Sequence, residues 1–570
     1  MEKFKSENYE NFGGINVKAS PFNLDQTQFL NLVNLDFTEP GALTKRPGSA
    51  NYLGSTVAGR ITGLYSYEKL NGSSYLIATA NTNAYSVTNV FSSIRTGLSD
   101  GAIFDFVTFV DRLFAANGSN FFVYDGNSSR SFGIPVPPAP NVVGISNAVG
   151  MSGTYIYRYA YLNDLGQIGG MGTGVTISVA AATNIILSGF TTIAGYGITS
   201  IAIFRTNPGL LQFARIGFVS GSTFVDNNLS LSNVLGEELL WFTLAPKYVE
   251  LYNNQLFFAG FSSAPSTVFF SEIGQPEKIQ AQNFFEVRTN DGDRITGLKT
   301  YNSQLIIFKE KSISTLTGDN PANFLLREIS DEYGCLSNRA ICIYEDYLTF
   351  LDKKGICLFN GANIGIMSNP IEPVFQAMNT SAALENATAI HFRSRNELWF
   401  SIPCDGSTFN NCTVVYDYLS KAFTKFEGFF PSALTVAKAT FSLERCLYGG
   451  YTGNIVYFSE LLTSDNSVGF TVIAKTRFLN NSGNSVTKQW RRLYLNVNVD
   501  GSSTPISCKL FADYGNTHQI ERSIYKNQFQ TRIDFGIPAK ALAAEFFYLD
   551  PNSSLKLFGF TLEYRIQRTV

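Results

Sequence analysis

From about Tyr52 to the end of the chain, short runs of β-branched and aromatic residues alternate with polar positions and stop at Gly, Asn, Asp or Ser. Helical spacing is scarce, so the pattern predicts an all-β chain. One helix is expected just after Pro370, where Ile371, Val374, Phe375 and Met378 recur at helical spacing behind a residue suited to a first turn. A shorter helix is expected over Gln26 to Leu30, capped by Asp25.

The alternation is itself repeated. A turn leads into a strand with Leu near its start, and a second turn leads into a strand that ends in an aromatic residue. Val110-Asp-Arg-Leu113 is followed by Phe121-Phe-Val-Tyr124, and the pattern returns at Tyr252-Asn-Asn-Gln-Leu256, Tyr301-Asn-Ser-Gln-Leu305, Glu345-Asp-Tyr-Leu348, Arg395-Asn-Glu-Leu398 and Glu444-Arg-Cys-Leu447. An earlier copy begins at Ser74-Tyr-Leu76. Adjacent leucines are roughly 37, 49, 43, 50 and 49 residues apart where nothing intervenes, close to the ~40–50 residues of a four-stranded propeller blade. The repeat predicts a β-propeller of six to eight blades.

The gap from Leu113 to Leu256 exceeds one blade by roughly 100 residues, the size of an inserted domain. It opens on Ile134-Pro-Val-Pro-Pro-Ala-Pro140, a stiff extended linker. Alternating runs at Thr154–Tyr161, Val175–Val179, Ile185–Leu187, Ile198–Arg205 and Phe213–Phe218 then suggest a sandwich of immunoglobulin or fibronectin type. After about Glu460 longer strands take over, from Thr471–Phe478 to Leu557–Tyr564, and read as a C-terminal β-sandwich. The expected division is an N-terminal arm over 1–51, first blades over 52–136, the insertion over 137–245, remaining blades over 246–460 and the terminal sandwich over 461–570. The arm has too little chain to enclose Phe12, Ile15, Phe22, Phe29, Leu30 and Leu32, so these are expected to pack on another domain or subunit.

Composition narrows the function. Of 570 residues 15% are charged and 45% hydrophobic, with 49 Phe, 28 Tyr and 48 Gly, whereas soluble domains average about 25% charged. A surface so poor in charge suits a protein covered by partners in a permanent assembly. The balance of 43 basic against 45 acidic side chains excludes a dedicated nucleic-acid binder. No secretory signal or membrane-spanning run is seen, which suggests synthesis in the cytoplasm.

Chemistry has little to work with. The two histidines, His391 and His518, are far apart in sequence, and no phosphate-binding loop, dinucleotide fingerprint or nucleophile elbow appears. Gly169-Gly170-Met171-Gly172 reads as a loop rather than a phosphate cradle, since no helix pattern follows. Asp291-Gly292-Asp293 offers carboxylates to a hard ion such as Ca²⁺ but reads first as a turn. Of seven cysteines, Cys404 and Cys412 alone flank a turn in a way that invites a bridge. Lys353, Lys354, Arg393 and Arg395 read as solvated turn charges, with a shared basic rim as the alternative. No enzyme, cofactor or metal site is expected.

Several stretches resemble a known family. Gly13-Gly-Ile-Asn-Val-Lys-Ala-Ser-Pro-Phe22, Asn31-Leu-Val-Asn-Leu-Asp36, Pro40-Gly-Ala-Leu-Thr-Lys-Arg-Pro-Gly48, Ser271-Glu-Ile-Gly-Gln-Pro-Glu277, Asp291-Gly-Asp-Arg-Ile-Thr-Gly-Leu298 and Leu305-Ile-Ile-Phe-Lys-Glu-Lys-Ser312 are similar to the tail nozzle, or tail-stabilisation, virion proteins of short-tailed bacteriophages. The resemblance implies a non-catalytic homo-oligomeric ring in the virion tail, usually a hexamer, below the portal and head-to-tail adaptor. It also implies contacts with tail-fibre or other tail proteins, and a channel through which genome DNA leaves without being tightly held. The alternatives are a receptor-binding or tail-fibre adaptor protein of the virion and, more distantly, a propeller glycosidase.

Overall fold

The structure is a computed structural model that describes residues 4–219, 221–239, 245–438, 444–480, 483, 485–500, 504–525 and 530–567. Among them, strand dominates and seven four-stranded meanders follow one another. They run from Ile61–Glu68 to Phe91–Arg95, from Asp105–Phe109 to Ser129–Ser131, from Tyr248–Tyr252 to Phe284–Glu286, from Ile295–Tyr301 to Leu325–Ser330, from Ile341–Tyr344 to Ile364–Ile366, from Thr388–Phe392 to Ala422–Phe426, and from Pro431–Lys438 to Ile455–Ser459. The seventh takes its fourth strand, Gly48–Asn51, from the start of the chain. These are the blades of a β-propeller, numbered here 1 to 7.

The leucine that marks the sequence repeat has one structural position. Leu76, Leu113, Leu256, Leu305, Leu348, Leu398 and Leu447 all lie on the second strand of their blade, and all are buried. The turn before it is equally regular. In blades 2, 3 and 4 the pairs Phe109↔Arg112, Tyr252↔Gln255 and Tyr301↔Gln304 close two-residue loops. Both loop residues have positive φ: Val110 45° and Asp111 55°, Asn253 46° and Asn254 59°, Asn302 46° and Ser303 57°. That geometry suits the twist of a hairpin and favours Asn, Asp and Gly. A β-branched residue is strained there, so Val110→Asn is expected to raise the stability by about 1 kcal/mol, read as a higher denaturant midpoint.

The chain divides into two compact units, residues 1–66, 76–93 and 332–570, and residues 67–75 and 94–331. In the first, the outer strand of blade 6 does not end its sheet. Ala422–Phe426 meets Phe29–Val33 in parallel, and Val472–Thr476, Leu542–Tyr548, Ile506–Ala512 and Ile520–Ile524 follow, making a nine-stranded sheet. A second sheet orders Leu35–Asp36, Leu43–Lys45, Ser554–Ile566, Lys488–Asp500 and Gln530–Ala539, with Lys5–Tyr9 also paired to Ser554–Ile566. Trp490, Leu493, Leu495, Phe560 and Leu562 of one sheet share an apolar core with Val472, Ala474, Leu510, Leu542 and Ala544 of the other. The terminal sandwich therefore includes strands from the first 51 residues, which are not a separate arm.

The helix after Pro370 is present as Glu372–Gln376, and Ile371, Phe375 and Met378 are buried. A second helix, Thr380–Asn386, follows, capped by the Asn379 side chain. The short helix expected at Gln26 is absent. Asp25 instead accepts hydrogen bonds from the Thr27 N–H and hydroxyl, and Phe29 already belongs to a strand, because pairing with Val472–Thr476 outweighs local helix preference.

In the second unit the insertion is one hydrogen-bonded sheet rather than two separate ones. Its strands are ordered Phe213–Val219, Ile198–Thr206, Asn141–Asn163, Val175–Ser188 and Phe224–Asp226. Two layers arise because the long strand Asn141–Asn163 passes through register shifts between Ser146 and Gly153, so the sheet folds over itself. Tyr157 on the central strand and Arg205 on the strand beside it thus reach Asp226 on an edge strand, at 2.7 and 2.6 Å. Tyr157, Tyr159, Tyr161, Ile185, Leu187 and Ile203 fill the space between the layers.

Candidate functional site

Several of the buried charged residues are joints between distant parts of the chain. In the first unit the centre is Arg395, which follows the inner strand of blade 6. Its Nη2 donates to Asp36 Oδ2 and to Thr38 Oγ1, each at 2.6 Å. Its Nε donates to Glu397 Oε2 at 3.1 Å and its Nη1 to Glu460 Oε1 at 2.7 Å. Trp399 Nε1 also donates to Glu397, at 2.8 Å. Asp36, Glu397 and Arg395 are all buried, so two enclosed carboxylates share one guanidinium.

Glu397 is the better held of the two, so the shortage of positive charge falls on Asp36. Burial, reinforced by the neighbouring Glu397 charge, raises the Asp36 carboxyl to about 7 against the opposing pull of Arg395. The native state therefore keeps a proton that the unfolded chain gives up near pH 4. This contribution to stability is complete below the ordinary carboxylate value and is lost as the pH rises toward 7. Relative to Asp36→Asn, the wild type is expected to lose up to about 1.4 kcal/mol per pH unit between pH 5 and 7 and to level off above. Denaturant titrations of both proteins across that range check this, and parallel curves contradict it.

A second cation, Arg46, is bound by Asp465 at 2.6 and 3.1 Å and donates to Asn34 Oδ1 at 2.8 Å, while its guanidinium lies 3.7 Å from the Phe470 ring centre. Lys45 Nζ donates to the carbonyls of Asp550 and Ser553 at 2.6 and 3.1 Å. Burial lowers the Lys45 ammonium to about 8. A cleft of about 430 Å³ opens beside these groups, lined by Asp36, Thr38, Lys45, Arg46, Arg395 and Glu460 among others. Nothing local to Lys45-Arg46 in the sequence signals that both are buried.

The second unit has its own joint. Glu277 accepts from Arg130 at 2.8 and 2.7 Å, from the Gly133 N–H at 2.7 Å and from Asn163 Nδ2 at 2.6 Å. Its own N–H donates to Gln167 Oε1 at 3.2 Å. Blades 2 and 3 and the insertion thus meet on one buried carboxylate. Asp164 adds a second partner for Arg130, at 2.7 Å.

The residues singled out in the sequence fall as follows. Ile15, Phe29 and Leu32 lie inside the chain's own core, and Phe12 packs against it. Leu30 packs beside Phe478 and Phe511, and Phe22 is exposed, stacked on Tyr514 at 3.9 Å. Ile15, Phe29 and Leu32 are thus unavailable to another subunit, because the N-terminal strands complete sheets of the same chain. Asp291 and Asp293 form a turn around a lysine. Lys309 Nζ lies 3.0 and 2.9 Å from the two Asp291 oxygens, and Asp293 accepts from the N–H groups of Glu310 and Lys311. The ammonium stands where an ion would. Gly169 and Gly172 donate their N–H groups to the carbonyls of Tyr161 and Tyr159, and a Cβ on Gly172 would lie 2.2 Å from the Pro137 oxygen. Close packing on the linker explains these glycines.

His391 lies 3.4 Å from the Tyr418 hydroxyl, and burial lowers its imidazole value. His518 lies 3.7 Å from Glu521. All seven cysteines are buried free thiols. Lys353 and Arg393 are exposed, Lys354 lies over the Tyr333 ring, and Arg395 is enclosed by carboxylates, so it takes no part in a basic rim. Among the described residues no group of three or more His, Cys, Asp or Glu side chains is placed to hold a metal ion, and no helix is long and apolar enough to cross a membrane.

No protein-family model matches the chain, and no curated protein matches it. Among solved structures, BBS1N, crystallised in complex with ARL6DN, is similar at 9% identity and a TM-score of 0.27, over 74% of this chain and 99% of that one. The Pan2 WD40 domain of Neurospora crassa is similar at 10% identity and a TM-score of 0.27, over 73% and 94%. The exo-beta-1,3-galactanase of Phanerochaete chrysosporium is similar at 7% identity and a TM-score of 0.19, over 88% and 100%. Likenesses this distant say nothing of what the chain does.

Proposed function

We propose that the chain is a structural virion protein whose copies assemble into the ring-shaped tail nozzle of a short-tailed bacteriophage, a conduit for genome ejection. The reading rests on the stretches that resemble that family. Their polar residues Asn34, Asp36, Lys45, Arg46 and Glu277 form the joints described above, and Asp291 and Asp293 form the turn around Lys309. The likeness therefore concerns how distant parts of the chain are tied together. A chain with 15% charged residues and a net charge of −2 also suits a passive conduit, which releases DNA because it neutralises few phosphates. In this reading the copies form a hexamer, contact the head-to-tail adaptor and tail-fibre proteins, and perform no catalysis.

Mass measurement of the purified protein combined with particle imaging tests the proposal. Rings of six copies are the expected result, with weak, salt-insensitive binding of short duplex DNA. A monomer that binds or cleaves glycans would overturn it.

A further inference from the structure

Cys404 and Cys412 flank the hairpin loop of blade 6, and the structure brings them together. Cys412 stands opposite Ile402 in the ladder between Glu397–Ile402 and Cys412–Asp417. Cys404, two residues beyond Ile402, projects on the same face. Three contacts hold it there. The Cys404 N–H donates to Asn411 Oδ1 at 2.8 Å, Asn411 Nδ2 donates to the Cys404 carbonyl at 3.3 Å, and Cys404 forms a bridge with Met378. Both thiols are buried in one apolar cluster, and the neighbouring Cys404 thiol, together with burial, pushes the Cys412 thiol well above its ordinary value.

We propose that Cys404 and Cys412 form a redox lock, open as dithiol in a reducing cytoplasm and closed as a disulfide when the protein meets an oxidising medium. A low-molecular-weight disulfide such as oxidised glutathione is the oxidant. One cysteine loses its proton and attacks that disulfide, releasing a first glutathione thiol and leaving a mixed disulfide. The second cysteine loses its proton and attacks the protein sulfur, releasing a second glutathione thiol. The two cysteines are oxidised and the glutathione disulfide is reduced to two thiols. The Cys404 thiol beside it and burial both disfavour the Cys412 thiolate, so the exchange waits on opening of the hairpin and is slow. Once closed, the bond ties off the loop around Phe409, which is 52% exposed, and replaces the hydrogen bond that the reduced Cys404 thiol gives the Val374 carbonyl at 3.7 Å.

The test uses the full chain, one sample kept in dithiothreitol and one equilibrated with oxidised glutathione, each alkylated without reduction and mapped as peptides. The expected result is a Cys404–Cys412 linked peptide in the oxidised sample only, with Tm raised by about 2–5 °C. Cys404→Ala and Cys412→Ser should each abolish both the link and the response of Tm to oxidant. Alkylation of both cysteines after oxidation, glutathione retained on each, or a link through other cysteines would overturn the proposal.

Discussion

Replacing Arg395 with Ala is expected to lower the stability of the protein by about 3–5 kcal/mol, because it leaves the buried Asp36 and Glu397 without their shared guanidinium. The loss has a direction. Asp36 belongs to the N-terminal strands and Glu397 to blade 6, so the damage falls on the docking of the first 51 residues. Limited proteolysis should therefore cut that segment at denaturant concentrations that leave the wild type intact. Adding Asp36→Asn and Glu397→Gln removes the two carboxyl groups left without that partner and should restore part of the loss. A single variant as stable as the wild type, or no recovery in the triple variant, would contradict the assigned role.

Replacing Glu277 with Ala is expected to cost about 2–4 kcal/mol in the second unit. The Gly133 N–H and the Asn163 amide lose their buried acceptor, while Arg130 keeps only Asp164 as a carboxylate partner. Because Asn163 and Gln167 both belong to the insertion, its attachment should weaken before its own core melts. The expected signature is an earlier separate thermal transition and faster cleavage within the Pro-rich linker at 134–140. Glu277→Gln keeps an acceptor and should lose less. A single unchanged transition in Glu277→Ala would show that the insertion is held in place by other contacts.

The blade repeat was legible in the sequence because its cause is local. A leucine on the second strand recurs in every blade, preceded in blades 2, 3 and 4 by a two-residue turn with positive φ, and each is read from neighbouring residues. The apolar stripe after Pro370 was legible for the same reason. The N-terminal strands were not. Lys5–Tyr9 carries no apolar run and is a strand only because Ser554–Ile566 offers it an edge. Gly48–Asn51 likewise depends on Ile455–Ser459. The joints were hidden by distance as well, since Arg395 and Asp36 are 359 residues apart. A single chain shows the residue type at a position but not its partner, so Arg395 reads as an ordinary solvated charge, and nothing marks Lys45, Arg46 or Glu277 as buried. The insertion fell between these cases. Its strands were visible, but the register shifts that fold one sheet into two layers left no trace in the alternation.

The threading of the first residues into the last sheets also sets a schedule for biosynthesis. Lys5–Tyr9 is made well before its partner strand Ser554–Ile566, since paired residues such as Asn8 and Thr561 lie 553 positions apart. At about 5–20 residues per second, the leading segment waits roughly half a minute to two minutes for its place in the fold. Over that interval Ile15, Phe29 and Leu32, later enclosed, are open to solvent and to every neighbouring nascent chain. Closure of blade 7 and of the terminal sandwich is thus a late, whole-chain event. Translation products that stop before Ser554, however well their middle blades form, leave Lys5–Tyr9 without its partner strand.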